Sequence, residues 1–227
     1  MKKTVLAIET TGRVLSVALS TDNGVVCRRS DGELRHLTDL MPTVRGLLGG
    51  GGVELSSLAY IAVSAGPGSF TGMRIGVSAA RAMAQVAGLH VVKAPTLETF
   101  VYGYEPGGIV CPMLDARRGQ VYCGAYRLSP GGDALEALVS GDVRTEEAFD
   151  AALAAALHSS TAEAGVIRRV RDEDEPQSAE KVLRWAEAFG EPICYSKLEP
   201  IYMRKAEAQR KLEERLAAEA AGAAVNS

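Results

Sequence analysis

The residues best suited to chemistry lie in the segment GPGSFTG (66–72), between an apolar run and an amphipathic stretch. Gly66, Gly68 and Gly72 permit tight backbone and close approach, the properties of a loop that cradles an anion. It is not a Walker A loop, because no lysine follows Gly72, and it is not GxGxxG, because Thr71 stands in the third glycine's place. Two acids, Glu9 and Asp115, each end an apolar run and precede a glycine turn. Carboxylates at strand ends suit a hydrated magnesium ion if they share one cleft. A helical HxxxH metal motif starting at His36 needs a second histidine at position 40, which is Leu40. His90 and His158 are the other histidines, and no Ser/His/Asp or Cys/His signature accompanies them. Cys27, Cys111, Cys123 and Cys194 show no CxxC spacing, and three of them sit in apolar runs where a thiol packs as a small hydrophobe.

The elements that must position these residues are written in the hydrophobic pattern. TVLAIETTGRVLSVALS (4–20) predicts two strands around a turn, and VCPMLDARRGQVYCGAYR (110–127) predicts a second such hairpin. In both, a strand-end acid precedes a glycine, which marks an internal repeat and a duplicated α/β lobe facing a common cleft. Positions 34–48 carry apolar residues at helical spacing, with a kink expected at Pro42 and a stop at the glycine run 49–52. A strand at 58–63 leads into the glycine segment, and a helix follows over 73–87. That helix has one narrow polar stripe, Arg74, Ser78, Arg81 and Gln85, so it packs on its own sheet and, on a second side, either on its own chain or on another molecule. Helices are expected at 142–158 and 178–189, with Trp185 as a packing residue, around a solvated loop at 168–176. After Arg204 the pattern gives a marginal, fraying helix.

The 227 residues fit one large domain or two small lobes, and 47% hydrophobic with 23% charged content is ordinary globular usage. A net charge of −3 excludes the basic excess of an autonomous nucleic-acid binder, so any RNA role needs a partner. The longest uncharged stretch, 55–73, is interrupted by Ser, Gly, Pro and Thr and does not span a bilayer. The first apolar run stops at Glu9, too early for a secretory signal, so the expected location is the cytoplasm with no membrane partner.

The segments VLAIETTGRVLSVAL, RHLTDLMP, SAGPGSFTGMRIGVSAARAMAQ, APTLETF, MLDARRGQVYCGAYR and EPIYMR resemble, in order and spacing, the bacterial TsaB (YeaZ) family. The resemblance implies an α/β, actin-like ATPase fold of the sugar kinase and Hsp70 type, with two duplicated lobes that each carry a mixed sheet and flanking helices. The expected divisions are 1–107, 108–199 and a C-terminal segment 200–227. It also implies a non-catalytic subunit, without cofactor or metal, that dimerises with TsaD and activates it. The product is N6-threonylcarbamoyladenosine at position 37 of tRNAs reading codons that begin with A. TsaE joins through the TsaB–TsaD complex, tRNA is met only within that complex, and the isolated chain can form a homodimer. The partner interface is assigned to Leu37, Leu40, Met41, Val44, Ile75, Ala79, Met83 and Val86. Glu9, Thr10, Thr11, Gly66, Gly68, Ser69, Thr71, Gly72 and Asp115 become vestigial phosphate or nucleotide loops. Glu9 stands where the family usually has Asp, and a GDG-like segment of the second lobe is missing. The alternative is an active phosphotransferase or ATPase of the same fold, with Glu9 and Asp115 on magnesium.

Overall fold

The computed structural model describes residues 3–30, 35–159 and 165–204. Its first strand, β1 (Val5–Glu9), is buried along its whole length because apolar side chains leave it on both faces. Leu6 and Ile8 enter one core and Val5 and Ala7 another. β1 pairs antiparallel with β2 (Ser16–Thr21), which pairs with β3 (Gly24–Arg29), as the first predicted hairpin requires. After helix α1 (His36–Gly50), β4 (Tyr60–Gly66) adds parallel to β1. Helix α2 (Phe70–Ala87) returns the chain to β5 (His90–Pro95), which lies parallel to β4.

The second lobe repeats this plan. β6 (Ile109–Asp115) and β7 (Val121–Leu128) form the second predicted hairpin, and β8 (Leu135–Arg144) pairs with β7. Helix α4 (Glu146–Ser159) follows, and β9 (Ile167–Arg171) adds parallel to β6. The sheet orders β5-β4-β1-β2-β3 and β9-β6-β7-β8 thus match strand for strand, except that the second lobe has no counterpart of α2 and β5 among the described residues. The short helix α3 (Thr96–Thr99) links the lobes.

Four expectations need correction. Residues 168–171 form β9 rather than loop, because Arg169 and Arg171 are matched by Asp150 and Glu146 on α4 and charge does not expel them from the sheet edge. Residues 142–144 belong to β8, and the helix begins only at Glu146. α2 starts three residues earlier than periodicity indicates, because the Ser69 hydroxyl accepts from Gly72 N (3.2 Å) and caps it; Gly88 at φ 68° closes its other end. The lobe boundary at 199 also fails: helix α5 (Ala179–Phe189) covers the second face of the first sheet, and β10 (Pro192–Cys194) pairs with β5. Trp185 is buried there and donates from its indole nitrogen to Glu98 (3.1 Å). The expected helix beyond 204 lies outside the described residues, as does Leu34, the first residue of the helix expected over 34–48.

α1 continues through Pro42 and keeps the first two glycines of the 49–52 run, ending when Gly51 N reaches the Leu47 carbonyl (3.0 Å). Its residues Leu40, Val44 and Leu47 join Val77, Ala80, Met83 and Ala84 of α2 in one core against the sheet. Leu40, Val44 and Met83, assigned by sequence to a partner, are therefore filling the protein's own interior. Leu37 is 79% exposed. Val44→Asp would bury a lone charge and should cost about 3 kcal/mol or more, whereas Leu37→Asp should stay within about 0.5 kcal/mol. Urea titrations of the two variants measure this difference directly.

Candidate functional site

The turn after β1 and the glycine segment after β4 meet at the C-terminal end of the first sheet. The Thr10 hydroxyl donates to the Gly72 carbonyl (2.8 Å), and Ser69 N donates to the Thr11 carbonyl (2.8 Å). The room left by the glycines is taken up by this turn. A Cβ at Gly72 would stand 1.9 Å from the Thr10 carbonyl oxygen, one at Gly76 2.2 Å from the Thr10 hydroxyl, and one at Gly68 2.6 Å from the Thr11 carbonyl oxygen. At Gly66 a Cβ would meet Met73 Sδ at 2.3 Å and the Ile201 carbonyl at 2.7 Å. The close approach that the glycines permit is thus an approach of the chain to itself. Ser69 and Thr71 are exposed beside it.

Glu9 is fully buried. One oxygen, Oε1, accepts from Thr11 N, from the Thr11 hydroxyl (2.5 Å) and from Gly12 N (3.2 Å). The other, Oε2, has no hydrogen-bond partner among the described residues. Burial pushes its pKa above the ordinary carboxylate range, and the hydrogen bonds from Thr11 and Ser64 oppose this without reversing it. Its acidic neighbour from the second lobe is Asp172, which adds to the upward shift, and not Asp115. Asp115 is exposed at the end of β6, accepting from Arg117 N (2.7 Å) and pairing with the Arg117 guanidinium (3.2 Å). The two acids do not form the shared cleft site that magnesium would need. His36 is buried, its Nε2 lies 3.0 Å from the Gly12 carbonyl, and burial lowers its pKa; the neutral ring donates there.

Residues that sequence reasoning missed complete the site. Ser64 and Thr96 hydroxyls lie 2.7 Å apart, and each is 3.4 Å from the Thr11 hydroxyl, making a buried polar chain that runs from Glu9 past the ends of β1, β4 and β5. Gln177 donates to the Thr96 carbonyl (3.1 Å), and Asp172 accepts from Gln177 N (3.0 Å). A hydroxyl inside the apolar strand β4 and another directly after β5 were the available signal. The interface candidates divide. Leu37, Met41 and Val86 are exposed, Ile75 and Ala79 are half-buried and pack against the protein's own core, and Leu40, Val44 and Met83 are buried within it. Among the described residues no cluster of three or more metal-ligating side chains occurs.

Residues 16–172 match the family described as TsaD: tRNA N6-adenosine threonylcarbamoyltransferase. The chain is 36% identical over 130 residues to the tRNA threonylcarbamoyladenosine biosynthesis protein TsaB of Bacillus subtilis (strain 168). It is 34% identical over 131 residues to the protein of that name in Escherichia coli (strain K12). Each alignment covers 56% of this chain and 57% of the relative, so the match spans little more than half the length of these curated relatives. The solved structure of YeaZ from Pseudomonas aeruginosa has TM-score 0.69 at 27% identity, covering 88% of this chain and 100% of that one. Another, described as an uncharacterized protein with similarity to peptidase YEAZ from Pseudomonas aeruginosa, has TM-score 0.72 at 27% identity, covering 89% and 100%. The two mixed sheets are those of the actin-like ATPase-type fold.

The pKa of Glu9 is raised in the folded chain, so its stabilising contribution is complete below its ordinary value of 4.5 and is lost as pH rises through the folded value. Glu9→Gln keeps the shape without the ionisation. Its melting temperature should match the wild type near pH 4 and exceed it progressively toward pH 8. Paired thermal melts across that range check the sign.

Proposed function

Because the chain belongs to the TsaD family and resembles its TsaB and YeaZ members, we propose that it serves N6-threonylcarbamoyladenosine biosynthesis as a non-catalytic subunit that pairs with TsaD and activates it. The observation that carries this reading is the outer face of α1 and α2. Both helices bury one side on the same sheet face, and on the other side Leu37, Met41 and Val86 stand 79%, 43% and 85% exposed. Ile75 and Ala79, half-buried against the same core, share the helical stripe of Val86 on α2. Large apolar side chains that two adjacent helices turn outward are the mark of a surface that another molecule covers. Covering each of the larger ones contributes about 1.5–3 kcal/mol.

Two further features support a subunit without chemistry of its own. The glycine segment is occupied by the Thr10–Thr11 turn, and the buried Glu9 is held toward its neutral form, a poor ligand for a cation. TsaE joins through the TsaB–TsaD pair and tRNA is met there, as the family resemblance implies; the net charge of −3 agrees with an RNA contact made mainly by the partner.

The double variant Leu37→Asp/Val86→Asp should abolish co-purification with TsaD, and tRNA modification reconstituted with TsaD, TsaE and TsaC, which in this family supplies threonylcarbamoyl-adenylate, while melting at the wild-type temperature. Co-purification at the wild-type level overturns the interface. Calorimetry of the isolated chain with ATP and magnesium should give no heat of binding; a micromolar Kd would favour the phosphotransferase alternative.

A further inference from the structure

The second lobe repeats the first as far as β9 and then departs from it, and the departure leaves a place open. In the first lobe α1 and α2 share one face of the sheet, with α2 over β4, whose Ile61 and Val63 are fully buried in the same core. In the second lobe α4 stands where α1 stands, on β7 and β8, and among the described residues no second helix lies beside it. What remains between α4 and β9 is a groove of about 590 Å³, lined by Asp150, Leu153, Ala154, Leu157, Ile167 and Arg169. Ile167 is 40% exposed there, and Arg169 and Arg171 lean across to Asp150 and Glu146 on α4.

The chain itself arrives at the mouth of this groove. Met203 packs against the core between the lobes, and Arg204 donates to the Ala116 carbonyl and to Gln120 Oε1 (3.0 Å) in the turn that follows β6. β6 and β9 are parallel, with Met113 opposite Arg171, so their C-terminal ends are neighbours. Residue 205 therefore leaves from the end of the second sheet that corresponds to the end of the first at which α2 begins. Residues 205–227 outnumber the 18 of α2. In helical projection Leu212, Leu216, Ala220 and Ala223 fall on one stripe, with Lys211, Glu214 and Ala218 on the opposite side. Only two residues of that stripe are large, too few to hold a short helix in water without a surface to pack on.

We propose that residues 209–224 complete the second lobe: they dock as a helix in the groove between α4 and β9, in the position that α2 holds in the first lobe, and cover Leu157 and Ile167. Residues 205–208, about 13 Å when extended, carry the chain over the end of the sheet. From there, at about 1.5 Å per residue, Leu212 and Leu216 descend beside Asp150 to Leu157 of α4. The occupant is the chain's own segment because Met203 and Arg204 fix its start beside the groove, which gives it an effective concentration that a free molecule does not match. The groove belongs to the second lobe, away from the outer face of α1 and α2, so this docking stands or falls apart from the pairing proposed above.

Hydrogen–deuterium exchange of the full chain tests it. Amides of 211–222 should exchange about tenfold or more slower than in a free peptide of the same sequence. Two variants should return them to the peptide's rate while the amides of β1 and α2 stay as protected as in the wild type. One is Leu212→Asp/Leu216→Asp on the segment. The other is Ala154→Arg, which fills the groove from an exposed helical position that accepts arginine. Wild-type amides of 211–222 that exchange at the peptide's rate overturn the docking. Protection that survives Ala154→Arg also overturns it, because the segment then packs elsewhere. Protection that rises with chain concentration between about 1 and 100 μM assigns the segment to a second copy and overturns it as well.

Discussion

The packing of the Thr10–Thr11 turn into the side-chain-free surface of Gly68, Gly72 and Gly76 fixes the geometry of the first lobe. The turn ends the central strand β1, and the glycines open the helix that covers its sheet, so this one contact sets the height and angle of α2. A β-carbon at Gly68 or Gly72 meets a backbone carbonyl oxygen, which no rotamer change relieves, and one at Gly76 displaces the Thr10 hydroxyl. The same contact draws Glu9 below the surface. Its carboxylate then has to be satisfied locally, and the Thr11 and Gly12 groups that satisfy one oxygen come from the turn itself. An acid that looks catalytic in the sequence is thereby built into the support of a helix.

The two lobes share a plan but not a size, and the difference determines how they are joined. Where the first lobe continues from β4 through α2 to β5, the second leaves β9 and sends α5 back onto the first sheet. The last described residues reinforce that return. Leu198 is buried in the first core, Met203 packs against the core between the lobes, and Arg204 reaches the Ala116 carbonyl and Gln120 Oε1 (3.0 Å) at the β6–β7 turn. The second lobe is held by a helix and a strap that both pack on the first, so α5 and β10, although within 108–199, belong with the first sheet.

Much of this was legible in the sequence because it depends on local periodicity. The strand pairs closing at Gly12 and Gly119, the helix stripes and the acid that precedes each of those glycines are all short-range patterns. What was lost depends on partners far along the chain. Residues 168–171 look like a solvated charge run until α4 supplies the matching acids. Ser64 and Thr96 look incidental until parallel pairing sets them beside Thr11. The phase of α2 was readable in principle. Met83 is seven residues from Gly76 and eleven from Gly72, so it shares the stripe that abuts the Thr10 turn, while Ile75, Ala79 and Val86 share another.

That phase carries the functional argument. A helix with two apolar stripes and a narrow polar one between them is unstable on a surface unless both stripes are covered. The inner stripe of α2 is made of glycine, alanine, valine and methionine, small enough on average to sit close to the sheet. The outer one has no side chain of its own protein to cover Val86 among the described residues. Apolar burial gives such a face affinity for almost any other greasy surface, including its own copy, because hydrophobic attraction has no direction.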